Sequence, residues 1–180
     1  MKILRQNERI NTNFLVKLSL LAAISYLLTF IRMPLPFFPE FLKIDIAELP
    51  ALIAGFAFGP IAGVIVVLLR NILDFLTKTS TGGVGELSNF IVGSSFVVTA
   101  SAIYKLNKSK RNAVLGVVLA TVVMACIGLL SNKFIILPLW GMPVEWSFLL
   151  TIIVPFNLIK GALNSLVAIL IYKNVSRILK

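Results

Sequence analysis

Six stretches of nearly unbroken apolar residues, parted by short polar or proline-containing breaks, make up most of this 180-residue chain. An α-helix needs about 20 apolar residues, at about 1.5 Å each, to cross the hydrocarbon of a bilayer. The first stretch predicts a helix over residues 14–31, stopped where Arg32, Pro34, Pro36 and Pro39 forbid its continuation. A rigid aromatic loop follows, and then "DIAE" (residues 45–48), whose spacing is that of a capping box and predicts a second helix that "FGP" (58–60) soon ends. A third helix is predicted over 61–76 and a fourth over 87–106, joined by the small-residue loop "KTSTGGVGE". "NKSKR" precedes a fifth over 113–137, and "PLWGMPVEW" precedes a sixth over 148–172. The expected architecture is an all-α integral membrane protein of six transmembrane helices. Residues 1–180 would form a single domain with no separate soluble part.

Charge orients this array. Lys and Arg total 17 against 7 Asp and Glu, but they gather at the ends of apolar runs, which points to membrane topology and away from nucleic acid. With both termini in the cytoplasm, the inner side holds Lys2, Arg5, Arg9, Lys17, Lys105, Lys108, Lys110, Arg111, Lys173, Arg177 and Lys180, and the outer side only Arg32, Lys43 and Lys78. An odd number of crossings would leave one terminal cluster outside. The N-terminal segment is basic and then apolar, as in a signal peptide; lacking a small-x-small cleavage site before "RMPLPFFPE", it is read as a retained first helix.

Composition also excludes chemistry. Histidine is absent and the one cysteine, Cys126, lies in "VVMACIGLL", so neither an intrachain disulfide nor a Cys/His metal site is expected. The glycines of residues 82–85 lack the spacing and the preceding strand of a phosphate-binding loop. No paired carboxylates or serine triad point to catalysis, so the chain is not expected to be an enzyme.

Polar groups inside the spans carry the functional information. "IIVPFNLIKGALNSLVAIL" (residues 152–170) holds Asn157, Lys160 and Asn164, and a lysine there costs about 2.5–3.5 kcal/mol to insert. Steps of about 100° place Lys160, Gly161 and Asn164 within about 60° of Asn157, on one stripe. Pro155 frees a carbonyl beside it. Asn132 and Lys133 lie near the outer end of the fifth helix, and the aromatic loop "FFPEFL" is placed to close over the same region. One reading pairs Lys160 with Asp74 or Glu86 and bonds the asparagines to neighbouring helices, at about 0.6–2 kcal/mol each. The other makes the stripe a binding site, whose amides and ammonium suit a flat heterocycle with an imide edge. Lys133 is expected to snorkel to the interface. Arg70 and Asp74, one turn apart, are expected to neutralise each other.

Four segments carry a resemblance: "FLKIDIAELPALIAGFAFGPIAGVIV" (41–66), "STGGVGELSNFIVGSSF" (80–96), "SNKFIILPLWGM" (131–142) and "PFNLIKG" (155–161). With them the chain resembles the substrate-binding S components of energy-coupling factor vitamin transporters, and among these the riboflavin-specific branch. The first segment marks the transporter class broadly; "PFNLIKG" together with Asn132 is more specific. The resemblance implies a multi-pass protein of a bacterial plasma membrane that binds riboflavin from outside as transported ligand, uses no cofactor and does no chemistry. A transmembrane coupling subunit and two ATPase subunits would supply the energy. By position, Asn132, Asn157 and Lys160 would hold the isoalloxazine ring. The loop with Phe37, Phe41, Leu42, Lys43 and Asp45 would enclose the ligand and meet its ribityl chain. In the family a tyrosine and a threonine can occupy the places where this chain has Phe41 and Lys43, which leaves hydroxyl contacts there unsupported. The first helix would dock on the coupling subunit through small residues one turn apart, here Ser19, Ala22 and Ala23. The rival readings are an S component for thiamine, biotin or a folate, a membrane enzyme using Lys160 or Asp45, and a non-transport membrane subunit.

Overall fold

The computed structural model describes residues 12–178, with side chains as far as residue 171. The terminal basic residues Lys2, Arg5, Arg9, Lys173, Arg177 and Lys180 lie outside the described side chains. Helix α1 (Thr12–Leu28) tightens into a 3-10 turn (Thr29–Ile31) just before the proline-rich segment. The chain then forms a two-stranded antiparallel ribbon of β1 (Met33–Pro34) and β2 (Lys43–Ile44), with Met33 opposite Ile44. Helices α2 (Glu48–Phe58), α3 (Pro60–Lys78), α4 (Val84–Leu106) and α5 (Lys110–Ser131) follow. A π turn (Asn132–Ile136) and α6 (Leu137–Leu139) prolong α5, while α7 (Trp146–Phe148) and a second π turn (Leu149–Ile153) lead into α8 (Val154–Ile178).

The six expected helical segments are present. Among the described residues, five are long and apolar enough to cross a membrane: Thr12–Ile31, Pro60–Lys78, Val84–Leu106, Lys110–Leu139 and Trp146–Ile171. The other, α2, has 11 residues, about 16 Å of helix, and is too short to cross alone. With the segment before it, it nevertheless returns the chain from the ribbon to the level of the start of α1, where Phe58 meets Phe14 at 5.3 Å, and it does so as an inner helix, with Ala51, Leu52 and Ala54 almost fully buried. Gly59, at φ +100°, makes the reversal from α2 into α3, a conformation that an L side chain rarely adopts.

Close helix contact rests on small residues, as expected where apolar surface gains little from leaving lipid. A Cβ on Gly63 would stand 2.8 Å from the Ala51 carbonyl oxygen of α2, and one on Gly116 would stand 2.8 Å from that of Ala100 in α4. Val66, Val67, Phe96, Val97 and Ala120 fill the core between them, while Leu20, Leu27, Ile61, Leu119 and Leu166 face outward. Each π turn ends two residues before a proline, Pro138 or Pro155. The widened turn absorbs the missing N–H, in line with the freed carbonyl expected at Pro155.

The capping box does not form. Glu48 opens α2 but its carboxylate pairs with Arg70 of α3 at 3.0 Å, both side chains being buried. Neutralising two buried charges outweighs a cap worth about 1 kcal/mol. Asp45 Oδ1 instead accepts from the Ala47 amide at 3.2 Å. Arg70 and Asp74 therefore do not form the expected pair: Asp74 turns to Arg32 at 2.7 Å and Lys78 at 3.3 Å.

Candidate ligand-binding site

Alternation of the helices brings the end of α1, the ribbon, the ends of α3 and α5 and the beginnings of α4 and α8 to one end of the bundle. There they enclose a cavity of about 1070 Å³, at the upper end of the usual range for small-molecule sites. The turn at Asn107–Ser109, with its basic neighbours, lies at the other end, as do the start of α1 and the end of α8.

One wall is a set of carboxamides whose orientation is dictated by their own helices. Asn132 Nδ2 donates to the Gly128 carbonyl at 2.8 Å, and Asn157 Nδ2 donates to the Ile153 carbonyl at 2.8 Å. A carbonyl can only accept, so in both residues this bond fixes which end of the amide is the NH2: one N–H is spent on the helix, and Oδ1 is left as an acceptor for the cavity. Asn157 fits there because Gly128 faces it; a Cβ at that position would stand 2.6 Å from Nδ2. Lys160 Nζ donates to Asn89 Oδ1 of α4 at 3.1 Å, which leaves the Asn89 NH2 as a donor. The cavity thus presents two amide acceptors beside an amide donor and an ammonium.

Aromatic side chains also line the cavity. Phe41, from the ribbon's loop, meets Trp140 edge to face at 5.0 Å, and Phe38 lies 5.8 Å from Phe156 of α8. Further round, Thr81 donates to Glu86 at 2.9 Å, with both side chains lining the cavity.

Lys160 is only 3% exposed, and its charge is balanced by Asp45, whose Oδ1 lies 3.6 Å away. Asp45 Oδ2 accepts from Arg32 at 3.0 Å. Burial pushes the Asp45 carboxyl up, but Lys160, Arg70 and Arg32, with the Ala47 amide, outweigh it and hold the group down to about 2. Lys160 therefore pairs with neither Asp74 nor Glu86, the two carboxylates considered from sequence.

Of the residues expected at the site, Phe41, Leu42, Lys43, Asn132, Asn157 and Lys160 line the cavity. Phe37 does not: it sits at the loop tip with φ 69° and is 99% exposed. Asp45 lies behind Lys160 instead of on the cavity wall. Asn164 of the same stripe points deeper, donating to the Asp45 carbonyl at 2.9 Å, and Gly161 packs on Thr121 of α5. Sequence reasoning missed Asn89, Glu86, Trp140 and Phe156. Polar Asn89 and Glu86 at the start of an apolar span were the available signal. Lys133 lies over the Trp146 ring at 3.9 Å, consistent with an interfacial place. Of the small residues in α1, Ser19 and Ala23 are exposed on one face, but Ala22 is 3% exposed and packs in the core. Ala22 is thus no part of an outer docking surface, because a step of about 100° per residue turns it away from its neighbours.

A family model described as "ECF transporter, substrate-specific component" matches residues 13–172. The chain is 40% identical over 185 residues to the riboflavin transporter RibU of Staphylococcus aureus, covering 98% of this chain and 95% of that one. It is 33% identical to the riboflavin transporter FmnP of Bacillus subtilis over 169 residues, or 88% and 89% of the two chains. A solved structure described as the S component of a bacterial ECF transporter superposes with a TM-score of 0.83 at 42% identity, covering 93% of this chain and 98% of that one.

Proposed function

This chain belongs to the family of ECF transporter substrate-specific components, and on that premise we propose that it captures riboflavin in a bacterial cell membrane for delivery inward. The observation that carries this reading is the committed orientation of the amides at the cavity. An imide edge offers two carbonyl acceptors flanking one N–H donor. The Lys160 ammonium and Asn89 NH2 supply donors, and Asn132 or Asn157 Oδ1 supplies the acceptor. The ring system then lies among Phe41, Trp140 and Phe156, and the ribityl hydroxyls face Thr81 and Glu86. Nothing in this arrangement calls for bond-making, which supports a binding role over the enzyme reading.

The end with the start of α1, the end of α8 and the basic turn Lys105, Lys108, Lys110, Arg111 faces the cytoplasm, in keeping with the positive-inside rule. The cavity then opens outward. Energy comes from partner subunits, a transmembrane coupling protein and two ATPases, with Ser19 and Ala23 on the outer face of α1 as the contact.

The test is titration of the purified protein with riboflavin, followed by fluorescence quenching, without ATP or partners. Asn157→Ala and Lys160→Ala should each weaken binding about 5- to 100-fold. Thiamine, biotin and folate should not compete. Unchanged affinity in both variants would refute the site, and competition by one of the other vitamins would refute the ligand.

A further inference from the structure

We propose that Arg32 is a positioning residue for the ligand: acting through Asp45, it holds the Lys160 ammonium against the ring-binding wall of the cavity. The inference rests on the riboflavin reading and deepens it. It begins with the ribbon, whose register sets Met33 opposite Ile44 and so brings Arg32, one residue earlier, opposite Asp45, one residue later. Cross-strand neighbours of opposite charge are within reach of one another. Arg32 uses both sides of its fork: Nε reaches Asp45 Oδ2 at 3.0 Å and Nη2 reaches Asp74 Oδ2 at 2.7 Å.

Asp45 thereby divides its two oxygens. Oδ2 is taken by Arg32, and only Oδ1, shared with the Ala47 amide, faces Lys160 at 3.6 Å. That is longer than a hydrogen bond, and Lys160 spends its short contact, 3.1 Å, on Asn89. Without Arg32 the whole carboxylate charge would be free for Lys160, whose ammonium would be drawn from Asn89 toward the ribbon. Asn89 would then lose the bond that aims its NH2 into the cavity. The exit of α1 thus governs a group on α8, although the two are far apart in sequence.

The experiment is a double-mutant cycle on the purified full chain, with Arg32→Gln, Asp45→Asn and the combination. Each is titrated with riboflavin and with lumichrome, which keeps the tricyclic ring but lacks the ribityl chain. Arg32→Gln is expected to weaken both ligands equally, by about tenfold, and to add little once Asp45 is Asn, because the path runs through that carboxylate. Arg32→Lys, which keeps the charge, should recover part of the loss; with Asp45→Glu it supplies the same cycle if Arg32→Gln does not fold. Thermal melting and binding stoichiometry separate this from a general loss of stability, which lowers the fraction of protein able to bind and leaves the affinity of that fraction unchanged. The proposal is overturned by fully additive losses, by unchanged affinity in Arg32→Gln, or by a loss for riboflavin alone, which would make Arg32 a direct contact of the ribityl chain. Absence of riboflavin binding by the unmodified protein would instead remove the functional reading, and this inference with it.

Discussion

Replacing Gly128 by alanine adds one methyl group to α5 and removes no polar atom, yet it should weaken riboflavin binding severely. The new Cβ would stand 2.6 Å from Asn157 Nδ2 and 2.8 Å from its Cγ. Carbon atoms in contact normally sit about 3.5–4.0 Å apart, so the amide must retreat by roughly 0.7 Å or more. It cannot do so and keep its 2.8 Å bond to the Ile153 carbonyl, which is what fixes the amide's orientation and leaves Oδ1 facing the ligand. Loss of one oriented buried hydrogen bond costs about 1–3 kcal/mol, or about 5- to 150-fold in affinity. The helix itself should not suffer, because alanine is the better helix former by about 0.8–1.0 kcal/mol. The assay is fluorescence-quenching titration alongside thermal melting in detergent. In an Asn157→Ala background the same methyl should cause no further loss, since the amide it displaces is gone. Affinity within about twofold of the unmodified protein would refute the claim that Asn157 contacts the ligand in this orientation.

Two further predictions follow from the ion pairs and from α1. Asp45, held at about 2, lies below its unfolded value of about 3.9, so its stabilising contribution is complete above the latter and is lost as pH falls toward the former. Riboflavin affinity should accordingly be flat from about pH 5 to pH 8, and a loss centred in that interval would mean Asp45 is not ionised as described. Ala23→Trp should leave riboflavin binding by the purified protein intact, since Ala23 is exposed and does not line the cavity, but should reduce cellular uptake and copurification of a coupling subunit. Unaffected uptake would remove this face of α1 as the docking surface.

The apolar runs determined that the chain forms membrane helices, and their breaks placed the ends to within a few residues, because a helix in lipid must satisfy every backbone group within its own segment. The same locality made the Asn157 and Lys160 stripe legible, since a spacing of three residues fixes which side chains share a face. Which charges meet is another matter. Lys160 found Asp45, and Arg70 found Glu48, while Asp74 was left to Arg32 and Lys78. The nearest opposite charge in sequence, Asp74 for Arg70, lost to one 22 residues away. Likewise Phe37 and Asp45 belong to a segment correctly placed over the site, but the ribbon's register turned one to solvent and the other behind the wall. Asn89 joined the site only because the start of α4 lies beside α8, 71 residues on. Buried charges choose partners by distance in three dimensions, and the helix packing that sets those distances is decided by small-residue contacts such as Gly63 on α2 and Gly116 on α4, whose partners no local spacing encodes.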